Sequence, residues 1–209
     1  RLELFSSKAK ADLEDVRKRW PWIDRLQNNP DIFESFLRAA RSIKNEIDYR
    51  MLFPIFTSKI AEILIVDKLL KPFKKTLKLE DIKTYKRYDF KWKTENNYRN
   101  DPYQVVKNFL YGKGFPPALG QSRIFLRDSN SNVIVEKTKL FKDFRNYLEG
   151  IPEKERTMWS DDKFIEQLKK LADARNKSGH TSIAELSEVE GVHHLLISDE
   201  DKPGILMKQ

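Results

Sequence analysis

The sequence predicts a mainly α-helical fold carrying one small β-hairpin. Three observations lead there. Apolar residues recur three and four apart at Ile32, Phe33, Phe36, Leu37, Ala40, Ile43 and Ile47, and again at Phe164, Ile165, Leu168, Leu171 and Ala172. Only seven Gly and nine Pro interrupt 209 residues, which leaves room for long helices. Ile124-Phe125-Leu126 and Val133-Ile134-Val135 flank a polar Ser-Asn turn, the pattern of a hairpin over residues 123–137.

The elements follow in order. Residues 1–29 read as an N-terminal helix or linker: 6–19 is a polar helix, and Trp20-Pro21-Trp22 ends it, because the residue before proline is pushed out of the helical region. Pro30 opens the first strongly periodic helix. Pro54 marks a kink or a new start, and residues 55–70 carry apolar side chains on most faces, as a central buried helix does. Pro72 ends that helix. Residues 72–93 are basic and aromatic, and 94–122 read as irregular or partly helical, broken by Pro102, Gly112, Gly114, Pro116, Pro117 and Gly120. After the hairpin, residues 138–149 form a helix. Ser160 is placed to cap the next one, with Asp161 and Asp162 in its first turn, where the helix dipole favours negative charge. A last helix or helix pair is expected over 182–197, and a polar, loose tail over 198–209.

Composition narrows the chemistry. Thirteen Phe, seven Tyr and four Trp suffice for a real core, so wholesale disorder is excluded. Without cysteine there are no disulfides, thiolate nucleophiles or Cys-based metal sites, which fits a reducing, cytoplasmic setting. The apolar run Ile60–Val66 is short and interrupted by Glu62, far from the roughly 20 residues of a membrane span. No Walker-type or dinucleotide glycine motif is present, and no cofactor is expected. A net charge of +8 and a pI near 9.4 favour a polyanionic partner, chiefly nucleic acid.

The stretch with most chemical content is Ala174-Arg175-Asn176-Lys177-Ser178-Gly179-His180-Thr181. Arg175 continues the stripe of Leu168, Leu171 and Ala172. A guanidinium there needs a partner if buried, so the stripe is expected to end at an interface or cleft. Gly179 suits a helix C-terminus, and His180 follows at the bend, able to point back toward Arg175. A histidine moves protons near neutral pH and an arginine grips phosphate with two parallel hydrogen bonds, a pair suited to phosphodiester chemistry. The simpler reading is a cationic helix C-terminus with an ordinary Gly-His cap.

Arg175-Asn176-Lys177-Ser178-Gly179-His180 resembles the R-N-x-x-x-H form of the motif in the HEPN superfamily, all-helical domains found in toxins, CRISPR-associated ribonucleases and other anti-phage effectors. The resemblance implies a HEPN-like helical bundle over residues 30–197, with an insertion at about 72–137. It implies metal-independent endoribonuclease activity, in which the ribose 2′-OH attacks the adjacent phosphate to leave a 2′,3′-cyclic phosphate and a 5′-OH. His180 would be general acid or base, Arg175 would stabilise the charged transition state, and Asn176 would orient the histidine or the phosphate. It further implies a homodimer, with two motifs facing one cleft. The start at Arg1 and the polar first helix lead us to expect a longer protein with a sensor or ATPase region upstream.

Other features weigh less. Lys83, Lys86, Arg87, Lys91, Trp92 and Lys93 interleave cations with the aromatics Tyr85, Tyr88 and Phe90, which suits single-stranded RNA. A surface strand with its aromatics in the core would read the same way. His193 and His194 point about 100° apart on a helix and are poorly placed to share a metal. Glu46 and Asp48 could lie near the Arg–His end, where a carboxylate would orient His180. Arg145-Asn146 repeats the Arg-Asn pair with no histidine behind it and reads as structural. The alternative to an enzyme is a non-catalytic helical module that binds RNA or protein.

Overall fold

The structure is a computed structural model that describes residues 13–85, 101–179, 182–198 and 202–208. It is mainly helical. In chain order the helices are α1 (Pro30–Ser42), α2 (Glu46–Ile65), α3 (Lys71–Thr76), α4 (Leu79–Thr84), α5 (Pro102–Tyr111), α6 (Leu119–Ser129), α7 (Asn132–Lys137), α8 (Lys139–Gly150), α9 (Glu153–Ser160), α10 (Asp162–Gly179) and α11 (Leu186–His193). A π-helical turn, Val66–Leu70, joins α2 to α3, and 3-10 turns cover Pro21–Asn28 and Ile205–Lys208. Among the described residues the only β-type pairing is the isolated bridge between Ile197 and Pro203.

The chain divides into two compact units, Arg1–Ala61 with Lys170–Gln209, and Glu62–Lys169. In the first, residues 13–19 are helical and end at Trp20, as the following proline requires. Val16, Trp20 and Ile23 are buried, and both Trp20 and Trp22 meet Phe36 edge-on, at centroid distances of 5.8 and 4.9 Å. The segment around Val16, Trp20 and Ile23 is therefore a packed part of the unit. Asn29 caps α1, its side chain accepting from Ile32 N at 3.2 Å, with Pro30 at the first helical position. Ile32, Phe36 and Ala40 of the predicted stripe are buried, joined by Ala39, while Ile47 at the end of that stripe falls on α2 and is exposed.

The second unit is built around aromatic rings. Phe73 meets Phe144 at 5.1 Å, and Phe125 touches Phe141 and Phe144, each at 4.9 Å. Glu62 caps α6 from outside: its Oε1 accepts from Leu119 N at 2.8 Å, where Ala118 has no side-chain oxygen of its own.

Several expectations need correction. Pro72 does not end a helix but lies inside α3, which follows the π-helical turn directly. Ser160 closes α9, and Asp161 takes the capping place at the start of α10, accepting from Lys163 N at 3.0 Å. The hairpin over 123–137 is absent; those residues lie in α6 and α7. Leu119, Ser122, Phe125, Leu126 and Ser129 are buried at helical spacing, and the serines within that face hide the stripe. The Ser-Asn stretch is a turn between helices, held by Arg145, which donates twice to the Ser129 carbonyl (3.1 and 2.8 Å) and once to Asn132 Oδ1 (2.7 Å). Of the two readings of Pro54, kink or new start, the new start is excluded, since Pro54 lies inside α2. The tail is not loose over 202–208: Gly204 N and Leu206 N donate to Leu196 O and Leu195 O, both at 2.9 Å, and Leu206 is buried.

Candidate active site

The site is the C-terminal end of α10, within the first unit. Phe164, Ile165, Leu168, Leu171 and Ala172 are buried, and Arg175 follows them half-buried. Among the described residues no side chain pairs with Arg175. Asn176 beside it is exposed. His180 lies outside the described residues.

Two contacts anchor this helix end. Proline has no N–H, so Pro54 leaves the Arg50 carbonyl without its helical donor. Ser178, buried on α10, supplies one: its Oγ–H donates to Arg50 O at 2.8 Å. Lys177 pairs with Glu188 of α11, and that hydrogen bond raises the Lys177 pKa and lowers that of Glu188. Glu188 also accepts from Glu185 N at 3.0 Å, closing the first turn of α11.

Arg50 is the second cation here. Its Nε donates to Ala184 O at 2.8 Å, and its guanidinium lies 3.4 Å from Glu46 and 3.9 Å from Glu185. The start of α2, with Glu46, thus stands at the end of α10. The one signal for Arg50 in the sequence is Pro54, four residues on, which frees the Arg50 carbonyl; that Ser178 meets it is set only by the fold. Behind it, Tyr49 Oη lies 2.8 Å from His193 Nδ1, and the His193 ring stacks on Phe53 at 5.0 Å. Burial, with the charge of Glu190, pushes the Tyr49 pKa up, so the phenol keeps its proton. His193 is thereby a half-buried packing residue.

Large apolar side chains are exposed nearby: Ile47 and Met51 lie four apart on one face of α2, and Ile183 and Leu186 bracket the Ala184–Glu185 segment that Arg50 holds.

Of the residues expected to bind RNA, Lys83 is described: it is exposed on α4 and pairs with Glu80 at 3.3 Å. Lys86, Arg87, Lys91, Trp92 and Lys93 lie outside the described residues. Tyr85 is buried in the second unit, with its hydroxyl on Asp143 at 2.8 Å. Among the described residues no three His, Asp or Glu side chains gather as metal ligands, and no helix is long and apolar enough to cross a membrane. Compared with known protein families, curated proteins and solved structures, the chain matches none.

Proposed function

We propose that this chain is a metal-independent endoribonuclease of the HEPN kind, acting in the cytoplasm as a homodimeric effector of a toxin or anti-phage defence protein. The observation that carries the reading is Arg175: a half-buried guanidinium with no partner among the described residues, on the last turn of a helix whose next residue in sequence is His180. A cation held there without a counter-charge is suited to an anionic ligand, and phosphate fits a guanidinium best.

The reaction needs no external cofactor. A base takes the proton of the ribose 2′-OH, the 2′-oxygen forms a bond to phosphorus, the bond from phosphorus to the 5′-oxygen breaks, and an acid returns a proton to that oxygen. His180 supplies a proton-transfer group, Arg175 meets the charge that builds on the non-bridging oxygens, and Asn176 orients the histidine or the phosphate. The exposed Ile47, Met51, Ile183 and Leu186 support a second copy of the chain seated next to the motif, bringing a second Arg175 and His180 to the same phosphodiester.

The test is cleavage of a mixed RNA pool in EDTA by the wild-type chain, His180→Ala and Arg175→Ala. Removal of a general acid–base group is expected to slow cleavage by about 10²–10⁴-fold, with 2′,3′-cyclic phosphate ends in the wild-type products. Equal cleavage by wild type and His180→Ala would end the catalytic reading. Loss of cleavage by the wild-type chain, with RNA still bound, would favour a non-catalytic RNA-binding module.

A further inference from the structure

The chain's positive charge is unevenly divided. Glu62–Lys169 holds 23 Lys and Arg against 16 Asp and Glu, so +7 of the net +8 belongs to the second unit, away in sequence from the Arg175 motif. Within that unit the ends of α3 and α5 meet. Lys74 Nζ donates to Phe109 O at 3.1 Å, and a Cβ on Gly112 would lie 3.6 Å from the same nitrogen. Gly112 ends α5 in the left-handed conformation at φ 82°, which turns the chain out into the loop that follows. Gly114 returns close against Asn108, since a Cβ there would sit 3.0 Å from the Asn108 Cβ.

The residue between these glycines and Pro116-Pro117 is Phe115, and it is 91% exposed, the most exposed large apolar side chain among the described residues. Cations stand on both of the segments that meet here. Lys113 lies over the Tyr111 ring at 4.7 Å, and Lys75 and Lys78 are exposed at the end of α3. Among the described residues no carboxylate pairs with Lys75, Lys78 or Lys113. A bare aromatic ring on a turned-out loop, two residues from Lys113 and in a unit that carries +7 of the net charge, is poorly matched to water alone and to an apolar protein partner. It is matched to a chain that carries flat rings and negative charges at a short repeat.

We propose that Phe115, Tyr111, Lys75, Lys78 and Lys113 form a binding surface for single-stranded nucleic acid, in which an unpaired base stacks on Phe115 and the lysines hold the flanking phosphates. The surface belongs to the unit that does not carry the Arg175 motif, and it does not depend on that motif being catalytic. It reads a strand by stacking and charge, so it is tolerant of sequence and discriminates against duplex, whose bases offer no free face.

The test is fluorescence anisotropy of the full chain with a labelled 2′-O-methyl oligouridylate of about 16 nucleotides, the upper end of single-strand site sizes, and with a duplex of equal length. The blocked 2′-oxygen removes cleavage from the measurement, so failure here and failure of the ribonuclease reading are read separately. Phe115→Ala is expected to weaken single-strand binding roughly tenfold, since one base stacked on a ring contributes about that factor or more. Lys75→Ala with Lys113→Ala is expected to lower the slope of log K against log salt by about 1.4, two phosphate contacts at ~0.7 each. Both are surface changes that leave the core intact, and an unchanged melting temperature checks this. Wild-type affinity in Phe115→Ala, equal affinity for the duplex, or no binding at all would each overturn the proposal.

Discussion

At the residue scale, a single missing hydrogen atom organises the candidate active site. Pro54 cannot donate to Arg50 O, and Ser178 fills the vacancy from α10. The serine therefore does two things: it satisfies a carbonyl that would otherwise be orphaned, and it sets the position of the helix end that carries Arg175. Ser178→Ala is expected to destabilise the fold by about 1–2 kcal/mol, since a polar group is left unsatisfied in a largely buried place. In a Pro54→Ala background the residue at 54 regains its N–H, the helix can satisfy Arg50 itself, and the same serine change is expected to cost less. Urea denaturation of the four proteins measures the coupling. Additive costs would mean that the Ser178 hydroxyl and Pro54 are not linked through the Arg50 carbonyl.

At the scale of elements, the sequence was legible where burial follows one face without interruption. α1, α8 and α10 lie where the periodicity places them, because Phe36, Phe144 and Leu168 sit in unbroken apolar stripes. α6 was hidden because Ser122 and Ser129 occupy buried positions of its face, while β-branched Ile124, Val133 and Ile134 beside a Ser-Asn turn imitate a hairpin. Local pattern lost to tertiary packing: Phe125 is placed by Phe141 and Phe144, and the turn by Arg145, none of which is near in sequence. The Arg175 motif was legible as a helix end, but its anchors were not, since Arg50 and Glu188 meet it only through the fold. The C-terminal segment shows the same lesson. Its polar composition suggested a loose tail, yet Gly204 lies so close to the chain before it that a Cβ would come within 2.5 Å of the Leu196 carbonyl carbon and 2.6 Å of His194 O. Gly204→Ala is expected to cost about 1–3 kcal/mol, the range for forcing atoms into filled space, and to speed hydrogen exchange at the amides of Ile205 and Leu206. A variant as stable as wild type would show that the segment adapts at no cost.

At the scale of the whole molecule, the open question is how many copies act together, and the surface around Arg50 gives a direct handle on it. Ile47 is 59% exposed, Met51 36%, Ile183 41% and Leu186 36%, a concentration of large apolar side chains next to the proposed catalytic motif. Water contact with such a patch is unfavourable, and a second copy related by a two-fold axis would cover it with the same residues, placing two motifs side by side. Ile47→Glu puts a charge into that contact and faces its own counterpart across the axis. Because Ile47 is exposed in the single chain, the substitution is expected to change the melting temperature little, within the ~0.5 kcal/mol typical of surface changes. It is expected to convert a dimer to a monomer in light scattering on a sizing column, and to abolish RNA cleavage in proportion. A dimer that persists in Ile47→Glu would place the interface elsewhere. A wild-type chain that stays monomeric at high concentration would remove the dimer altogether, and a monomeric Ile47→Glu that still cuts RNA at the wild-type rate would show that one Arg175 and one His180 suffice.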